Sequence, residues 1–110
     1  MAGWYELSKS SDNQFRFVLK AGNGETILTS ELYVTKAAAE KGIASVQVNS
    51  PLAERYEKKT AANGKLHFNL KAANHQVIGT SQLYASEQSR ETGIASVQTN
   101  GPVQTVKDKT

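Results

Sequence analysis

The chain has no cysteine and only two histidines among its 110 residues. Without cysteine it can form no disulfide, thiolate metal site or thiol nucleophile, which suits a reducing cytoplasm. Neither His67 nor His75 has a histidine or carboxylate at the i, i+4 spacing that is typical of metal sites. A Ser–His–Asp arrangement has equally few residues to draw on. We therefore expect no enzyme, no metal and no cofactor.

Long hydrophobic runs are also missing. No segment approaches the roughly 18 consecutive apolar residues that a membrane span requires. The N-terminus, residues 1–6, has neither the cationic start nor the apolar stretch of a secretory signal. These features predict a cytoplasmic protein with no membrane partner.

The net charge of +3 is unevenly distributed along the chain. Residues 4–54 carry five Lys and Arg against six Asp and Glu, whereas residues 55–105 carry six against three. The second half is therefore the better candidate for contact with an anionic partner.

The sequence contains one hexapeptide twice, Gly-Ile-Ala-Ser-Val-Gln, at residues 42–47 and 93–98. With the same 51-residue offset, residues 5–51 align with residues 56–102 without a gap and share 21 of 47 positions. Half-chains of this size are marginal as independent cores, so two halves that share one core are favoured. We predict one domain over residues 1–110, with repeats at 4–51 and 55–102 and a terminal segment at 103–110.

Each repeat has the pattern of three strands followed by a helix. Phe15, Phe17 and Leu19 alternate with polar residues, as Leu66, Phe68 and Leu70 do in the second repeat. Residues with turn-forming side chains separate the strands. The predicted strands are 4–9, 14–20 and 25–31 in the first repeat and 55–59, 65–71 and 76–81 in the second. A short edge strand at 103–106 and a frayed tail at 107–110 follow.

The helices are predicted at 36–48 and from Ser86 to about residue 99, with Thr35 and Ser86 as N-caps. On the first helix, helical periodicity places Ala39, Gly42, Ile43, Val46 and Asn49 on one buried side. A glycine in that arc indicates a close backbone approach, because glycine weakens a helix relative to alanine.

Leu32-Tyr33 and Leu83-Tyr84 occupy the same corner between third strand and helix. We expect each leucine to enter the core and each tyrosine to cover its edge. The predicted repeat core comprises Phe17, Ile43, Val46, Phe68, Ile94 and Val97.

The F-x-F-x-L-K-A strand, the asparagine-containing turn, the T-S-x-L-Y corner and the G-I-A-S-V-Q helix together resemble the YegP family of small bacterial proteins. The resemblance extends over essentially the whole chain. It implies tandem β3-α-β units in one antiparallel sheet, with terminal strands exchanged between halves, and it implies no activity. The fold class is therefore α+β, pseudo-twofold symmetric, with two helices packed on one face of the sheet.

If the aromatic residues face the helices, the other sheet face displays mostly polar and cationic side chains. That face is either an ordinary solvated surface or a nucleic-acid surface, although such surfaces need exposed rings and only Trp4 is a candidate. Arg90 replaces Ala39 on the buried arc, and it either covers apolar surface or joins Lys65 or Lys71 in an anion site. The candidate anion or nucleic-acid surface comprises Arg16, Lys20, Lys65, His67, Lys71 and Arg90.

Two other patterns suggest chemistry only weakly. The equivalent residues Glu6 and Glu57 are either a symmetric acid pair or ordinary surface contacts. Residues 22–24 contain two glycines, but they join two strands and do not form a phosphate loop. We therefore predict a non-catalytic binding or interaction module, a monomer with an internal pseudo-dimer. Its partner is expected to be a protein or, as the alternative, a nucleic acid bound weakly through the basic second repeat and the exposed sheet face.

Overall fold

The structure, a computed structural model, describes residues 3–10 and 12–110. Residues 1 and 2 of the N-terminal segment and residue 11 of the first predicted turn lie outside the described residues. Its elements follow the predicted order closely. They are β1 (Trp4–Lys9), β2 (Phe15–Lys20), β3 (Thr26–Thr29), α1 (Lys36–Asn49), a 3-10 turn (Ala53–Arg55), β4 (Tyr56–Thr60), β5 (Leu66–Lys71), β6 (Val77–Thr80), α2 (Glu87–Asn100) and β7 (Val106–Asp108).

The seven strands form one sheet in the order β4-β5-β6-β3-β2-β1-β7. Neighbouring strands are antiparallel except at one edge, where β7 runs parallel to β1. The alternation of apolar and polar residues sets the sheet faces, because successive strand residues point to opposite sides. In β2, Phe17 and Leu19 are buried on one face of the sheet. Arg16, the residue before Phe17, is exposed on the other face.

The two repeats meet at the centre of the sheet, where Thr29 of β3 pairs with its equivalent Thr80 of β6. The pseudo-twofold axis of the molecule passes here. Helices α1 and α2 both contact strands of both repeats, on the buried face of the sheet. Because each helix spans the junction, neither repeat has an interior of its own.

The helices begin at their predicted caps. The Thr35 side chain accepts a hydrogen bond from the Ala38 amide at 3.0 Å, and Ser86 does the same for Ser89 at 3.1 Å. The buried side of α1 consists of the five predicted residues. Neither helix, at 14 residues, has the length and apolarity needed to cross a membrane.

One hydrophobic core joins the repeats, and it contains all six residues of the predicted repeat core. Phe17 and Phe68 are 1% and 0% exposed, and Ile43 and Ile94 are 4% and 7% exposed. The predicted fold class, with its two helices on one face, is therefore confirmed, although the parallel strand β7 makes the sheet mixed and not entirely antiparallel as predicted.

Terminal strands are exchanged between the halves, as the family resemblance implied. The Tyr56 hydroxyl donates to the Ser50 carbonyl at 2.7 Å, which docks β4 against the end of α1. In the same way, the Tyr5 hydroxyl donates to the Gly101 carbonyl at 2.6 Å, so β1 docks against the end of α2. The strand that follows each helix thus joins the other half of the sheet: β4 follows α1 and pairs with β5, and β7 follows α2 and pairs with β1.

The corner prediction was wrong for the leucines. Leu32 and Leu83 are 52% and 50% exposed. The tyrosines pack inward instead, with Tyr33 stacked on Phe17 at 6.2 Å between ring centroids. The cause is a β-bridge between Tyr33 and Phe15, which puts the tyrosine side chain on the buried face and the preceding leucine on the opposite side.

Close approach at the helix glycines is confirmed, although the neighbour is a side chain. A β-carbon at Gly42 would lie 2.4 Å from the Tyr33 hydroxyl oxygen and 2.9 Å from Phe17 Cε2. At Gly93 the Tyr84 hydroxyl oxygen would lie at 2.1 Å. Each tyrosine therefore extends over the face of the helix at the one position without a side chain.

The C-terminal predictions were wrong, because the edge strand begins three residues later and ends two residues later than predicted. The edge strand is β7, Val106–Asp108, rather than residues 103–106. The Lys109 amide donates to the Leu7 carbonyl at 2.8 Å, so residues 107–109 continue along β1 and are not a frayed tail. Strand addition supplies the backbone partners that a free tail would lack.

Candidate cation-bearing sheet face

The sheet face opposite the helices is not covered by any described element; we call it the open face. Its side chains come from alternate residues of every strand. On β2 these are Arg16, Val18 and Lys20, and on β5 they are His67, Asn69 and Lys71. The sequence predicted this face from the same alternation.

On the first-repeat side, Trp4 lies beside Lys20, its partner across the β1–β2 ladder. The indole Nε1 of Trp4 donates to Glu6 Oε2 at 2.8 Å. The Nζ of Lys107 lies 4.3 Å from the ring centroid, a distance suited to a cation–π contact. Trp4 therefore faces outward as predicted, but it is half-buried and one side of its ring is occupied.

Glu6 is the only carboxylate of the described residues on this side of the open face. The hydrogen bond from Trp4 lowers its pKa, and Lys109, Lys20 and Lys107 lower it further. Lys109 Nζ lies 3.7 Å from Glu6 Oε1. Glu6 is consequently an ionised anchor for the surrounding cations rather than a general acid.

On the second-repeat side, Glu57 takes the equivalent position and holds Lys71. Their Nζ–Oε2 distance is 2.9 Å, and Lys59 Nζ lies 3.8 Å from Oε1. The hydrogen bond from Lys71 lowers the pKa of Glu57, with a further contribution from Asn69. Asn69 in turn accepts from Thr80 at 2.9 Å. The charge of Lys71 is thus largely compensated within the protein.

Arg16 and Lys20 differ from Lys71 in this respect. Within residues 3–10 and 12–110, no carboxylate oxygen lies within 4.0 Å of either cation. Arg16 is exposed and Lys20 is half-buried. Arg16 is therefore an exposed cation without an ion-pair partner among the described residues, and Lys20 acts on Glu6 only from beyond ion-pair distance.

The remaining predicted residues are dispersed. Lys65 is exposed at the end of the β4–β5 turn, directly before β5. His67 is half-buried across from Lys59, and its Nδ1 is buried without a hydrogen-bond partner among the described residues.

Arg90 does not belong to the open face, so its inclusion in the predicted surface was wrong. It is 8% exposed and lies on the buried side of α2. Its Nη1 donates to the Lys59 carbonyl at 3.3 Å, at the edge strand β4. The long aliphatic stem covers apolar surface while the guanidinium reaches the sheet edge, and Lys71 lies on the other side of the sheet.

Sequence reasoning missed Lys107 and Lys109, which β7 brings to the open face. A signal for this strand exists in the repeat itself. With the 51-residue offset, Asp108 falls at the position of Glu6 and Glu57, and this one acidic residue is the extent of the signal because Val106 and Lys107 match neither copy.

The described residues contain no group of three or more His, Asp or Glu side chains placed to hold a metal ion. Lysine and arginine side chains dominate the open face. The chemistry that such a surface supports is electrostatic attraction of an anionic partner.

The family described as "Domain of unknown function (DUF1508)" matches the chain twice, at residues 10–57 and 61–108. The chain belongs to this family. Each match begins before a repeat's second strand and ends in the strand after its helix, so β7 is part of the family unit. That division agrees with the exchange of terminal strands.

Full-length relatives are bacterial. The UPF0339 protein YegP of Escherichia coli K12 is 80% identical over 110 residues and covers 100% of both chains. The UPF0339 protein of Shewanella oneidensis is 64% identical over 110 residues, again with 100% of both chains covered.

Two solution NMR structures share the fold. The E. coli protein of unknown function yegP aligns with a TM-score of 0.94 at 80% identity, over 99% of this chain and 94% of that chain. The UPF0339 protein of Shewanella oneidensis aligns with a TM-score of 0.92 at 65% identity, over 98% and 92%.

Proposed function

We propose that this protein is a non-catalytic binding module that holds an acidic segment of a partner protein against its open face. The observation that carries the proposal is the pair Arg16 and Lys20, two cations on one uncovered strand without a carboxylate of the described residues in ion-pair range. Cations that are not paired internally attract an anionic partner and increase its rate of association.

The shape of the surface supports an extended partner. The open face runs across seven strands, and neighbouring strands lie about 4.8 Å apart. Arg16 and Lys20 lie four residues apart on β2, which corresponds to about 13 Å. A partner must therefore present separated negative charges, as an extended acidic peptide does.

A single-stranded nucleic acid is the second candidate, because Trp4 lies beside Lys20 on the same face. Base stacking on an aromatic ring with neighbouring cations is typical of such binding. Stacking on this ring would compete with Lys107, which already lies over it. That competition places nucleic acid second.

Fluorescence anisotropy with a labelled 20-residue polyglutamate and a labelled 20-nucleotide oligo-dT distinguishes the candidates. We expect polyglutamate to bind at 50 mM salt and to weaken at 200 mM salt, since exposed charges are screened. Tighter binding of oligo-dT would instead support the second candidate. No binding of either probe at low salt would overturn the proposal.

Two double variants each remove two positive charges, but from opposite sides of the molecule. R16Q/K20Q removes two cations from the open face. K41Q/K58Q removes Lys41 of α1 and Lys58, which pairs with Glu91 of α2, both on the helix side. We expect at least about tenfold weaker binding for the first variant and less than about threefold for the control.

Two further expectations belong to this proposal. We place the module in the cytoplasm, since a chain without cysteine needs no oxidising compartment. We also expect a monomer, because the two repeats already provide the symmetric pairing of a dimer. Light scattering at a mass of 11.9 kDa would support this, and twice that mass would contradict it.

A further inference from the structure

Two clefts lie on the helix side of the molecule, related by the pseudo-twofold axis. The first, of about 480 Å³, lies between the β2–β3 hairpin and α2. The second, of about 370 Å³, lies between the β5–β6 hairpin and α1. Each cleft thus combines a hairpin of one repeat with the helix of the other, and both volumes are in the range of small-molecule sites.

The floors of the clefts are equivalent. Tyr84 and Gly93 line the first cleft, and Tyr33 and Gly42 line the second. Other matched lining pairs are Ala21 and Ala72, Asn23 and Asn74, Ile27 and Ile78, and Ser96 and Ser45. Any difference in what the two clefts bind must therefore come from the positions where the repeats differ.

At three matched positions the first cleft carries a carboxylate or a hydroxyl group where the second carries an amide, a methyl group or a cation. The second cleft is also lined by a carboxylate of its own, Glu31, beside the cation Lys41. Glu25 corresponds to Gln76, and Ser89 corresponds to Ala38. Thr92 corresponds to Lys41, so a hydroxyl in the first cleft replaces a cation in the second. The residues lining the first cleft include one negative charge and no positive charge.

Glu25 is held in place by a residue of the other repeat. Its Oε1 accepts a hydrogen bond from Gln82 Nε2 at 3.0 Å. Its second carboxylate oxygen has no partner in any hydrogen bond or ion pair of the described residues. Thr92 donates its hydroxyl to the Gln88 carbonyl at 3.0 Å, which leaves the hydroxyl oxygen as an acceptor.

We propose that the first cleft binds a small polyhydroxylated amine, such as an amino sugar. Its ammonium group bonds the Glu25 carboxylate, which is a charge-assisted contact. Its hydroxyl groups bond Thr92, Ser89 and the Gln88 amide. The site lies across the sheet from the open face and does not depend on the proposed function.

Heteronuclear NMR titration tests the proposal with D-glucosamine as probe and D-glucose as its neutral match. Saturable shifts confined to the first-cleft amides with glucosamine, and at least about tenfold weaker binding of glucose, are expected. Equal binding of both sugars, or no saturable shift up to about 50 mM glucosamine, would overturn the proposal.

Two variants test whether the Glu25 carboxylate bonds the ammonium group of the ligand. E25Q should weaken glucosamine binding at least about tenfold, while glucose binding stays unchanged. Q76E adds the same carboxylate at the equivalent position of the second cleft and leaves the first cleft intact. Both substitutions are at exposed positions, and their spectra report folding directly. An E25Q protein that keeps the wild-type affinity for glucosamine would overturn the assignment.

Discussion

Leu28 and Gly79 are equivalent residues of the two repeats, and they lie against each other across the junction. A β-carbon at Gly79 would be 2.7 Å from both Cγ and Cδ2 of Leu28. Ser50 and Gly101, another equivalent pair, meet in the same way, with 2.0 Å between the Ser50 hydroxyl oxygen and such a carbon at Gly101. In each of these two pairs the equivalent residues meet in one space, so only one residue of the pair has a side chain there.

Exchanging the two residues tests the shared space. L28G leaves a cavity and G79L overfills the site, and each should destabilise the fold by about 2–5 kcal/mol. The double variant L28G/G79L restores the side-chain volume, so it should recover at least about half of the summed loss. Urea unfolding measures all three. A double variant as unstable as the sum of the two would contradict the arrangement.

The Tyr84–Gly93 contact gives a second stability prediction. G93A should destabilise by about 1–3 kcal/mol, although alanine favours a helix over glycine by about 1 kcal/mol. The added methyl group displaces a ring that is stacked on Phe68 at 6.3 Å.

Removal of the hydroxyl should relieve the clash. Y84F alone should be neutral or slightly stabilising, because the buried hydroxyl has no hydrogen-bond partner among the described residues. G93A should cost less in the Y84F background than in the wild type. T99A, at an exposed α2 position, is the control and should change stability by less than about 0.5 kcal/mol.

The hairpin tips offer a prediction from backbone conformation. Gly24 has φ +86°, and its equivalent His75 has φ 69°. This left-handed region costs an L-residue about 1 kcal/mol or more. H75G should therefore stabilise by up to about 1 kcal/mol, and G24A should destabilise by a similar amount. Thermal unfolding measures both, and stabilisation by G24A would contradict the assignment.

Strand β7 should loosen in acid. The hydrogen bond from Lys36 lowers the pKa of Asp108 well below its usual range, and the same contact raises the pKa of Lys36. Because the pKa of Asp108 is lower in the folded protein, its carboxylate stabilises the fold at pH values above the unfolded pKa of about 3.9. This contribution is lost as the pH falls through the folded pKa. Because the pKa of Lys36 is higher in the folded protein, its ammonium group stabilises the fold at pH values below the unfolded pKa of about 10.4. This contribution is lost as the pH rises through the folded pKa.

Amide chemical shifts and relaxation of residues 106–109 follow this transition. In the wild type they should begin to change below about pH 4 and continue to change as the pH falls through the lowered pKa of the docked Asp108. D108N should show the loosened state already at pH 7 with no further change in this range. Titration of both proteins alike would mean that another group controls β7.

Much of the fold could be predicted because local and repeat signals agree. Alternation in Phe15–Leu19 fixed the sheet faces, Thr35 and Ser86 marked the helix starts, and the glycine in each helix indicated the close approach. The resemblance to a known family supplied the exchange of strands, which short-range patterns do not encode.

Some predictions were wrong because contacts between residues distant in the sequence, and not local sequence patterns, determined the structure there. Leu32 turned outward because a single bridge fixed the orientation of Tyr33, and residues 107–109 became ordered through pairing with β1. The sequence also did not indicate which charged side chains form ion pairs. Lys71 forms an ion pair with Glu57 across a strand pair, whereas no carboxylate of the described residues lies within 4.0 Å of Arg16 or Lys20. The net charge of each half therefore did not indicate which cations are paired.

We propose the open face as the binding surface, and one titration tests this most directly. An NMR titration with 20-residue polyglutamate at 50 mM salt should shift the amides of Arg16, Val18 and Lys20 most, with the exposed residues of α1 and α2 unchanged. R16Q/K20Q should abolish these shifts while its spectrum stays that of a folded protein. Shifts that cluster on the helices, or that persist unchanged in R16Q/K20Q, would contradict the claim.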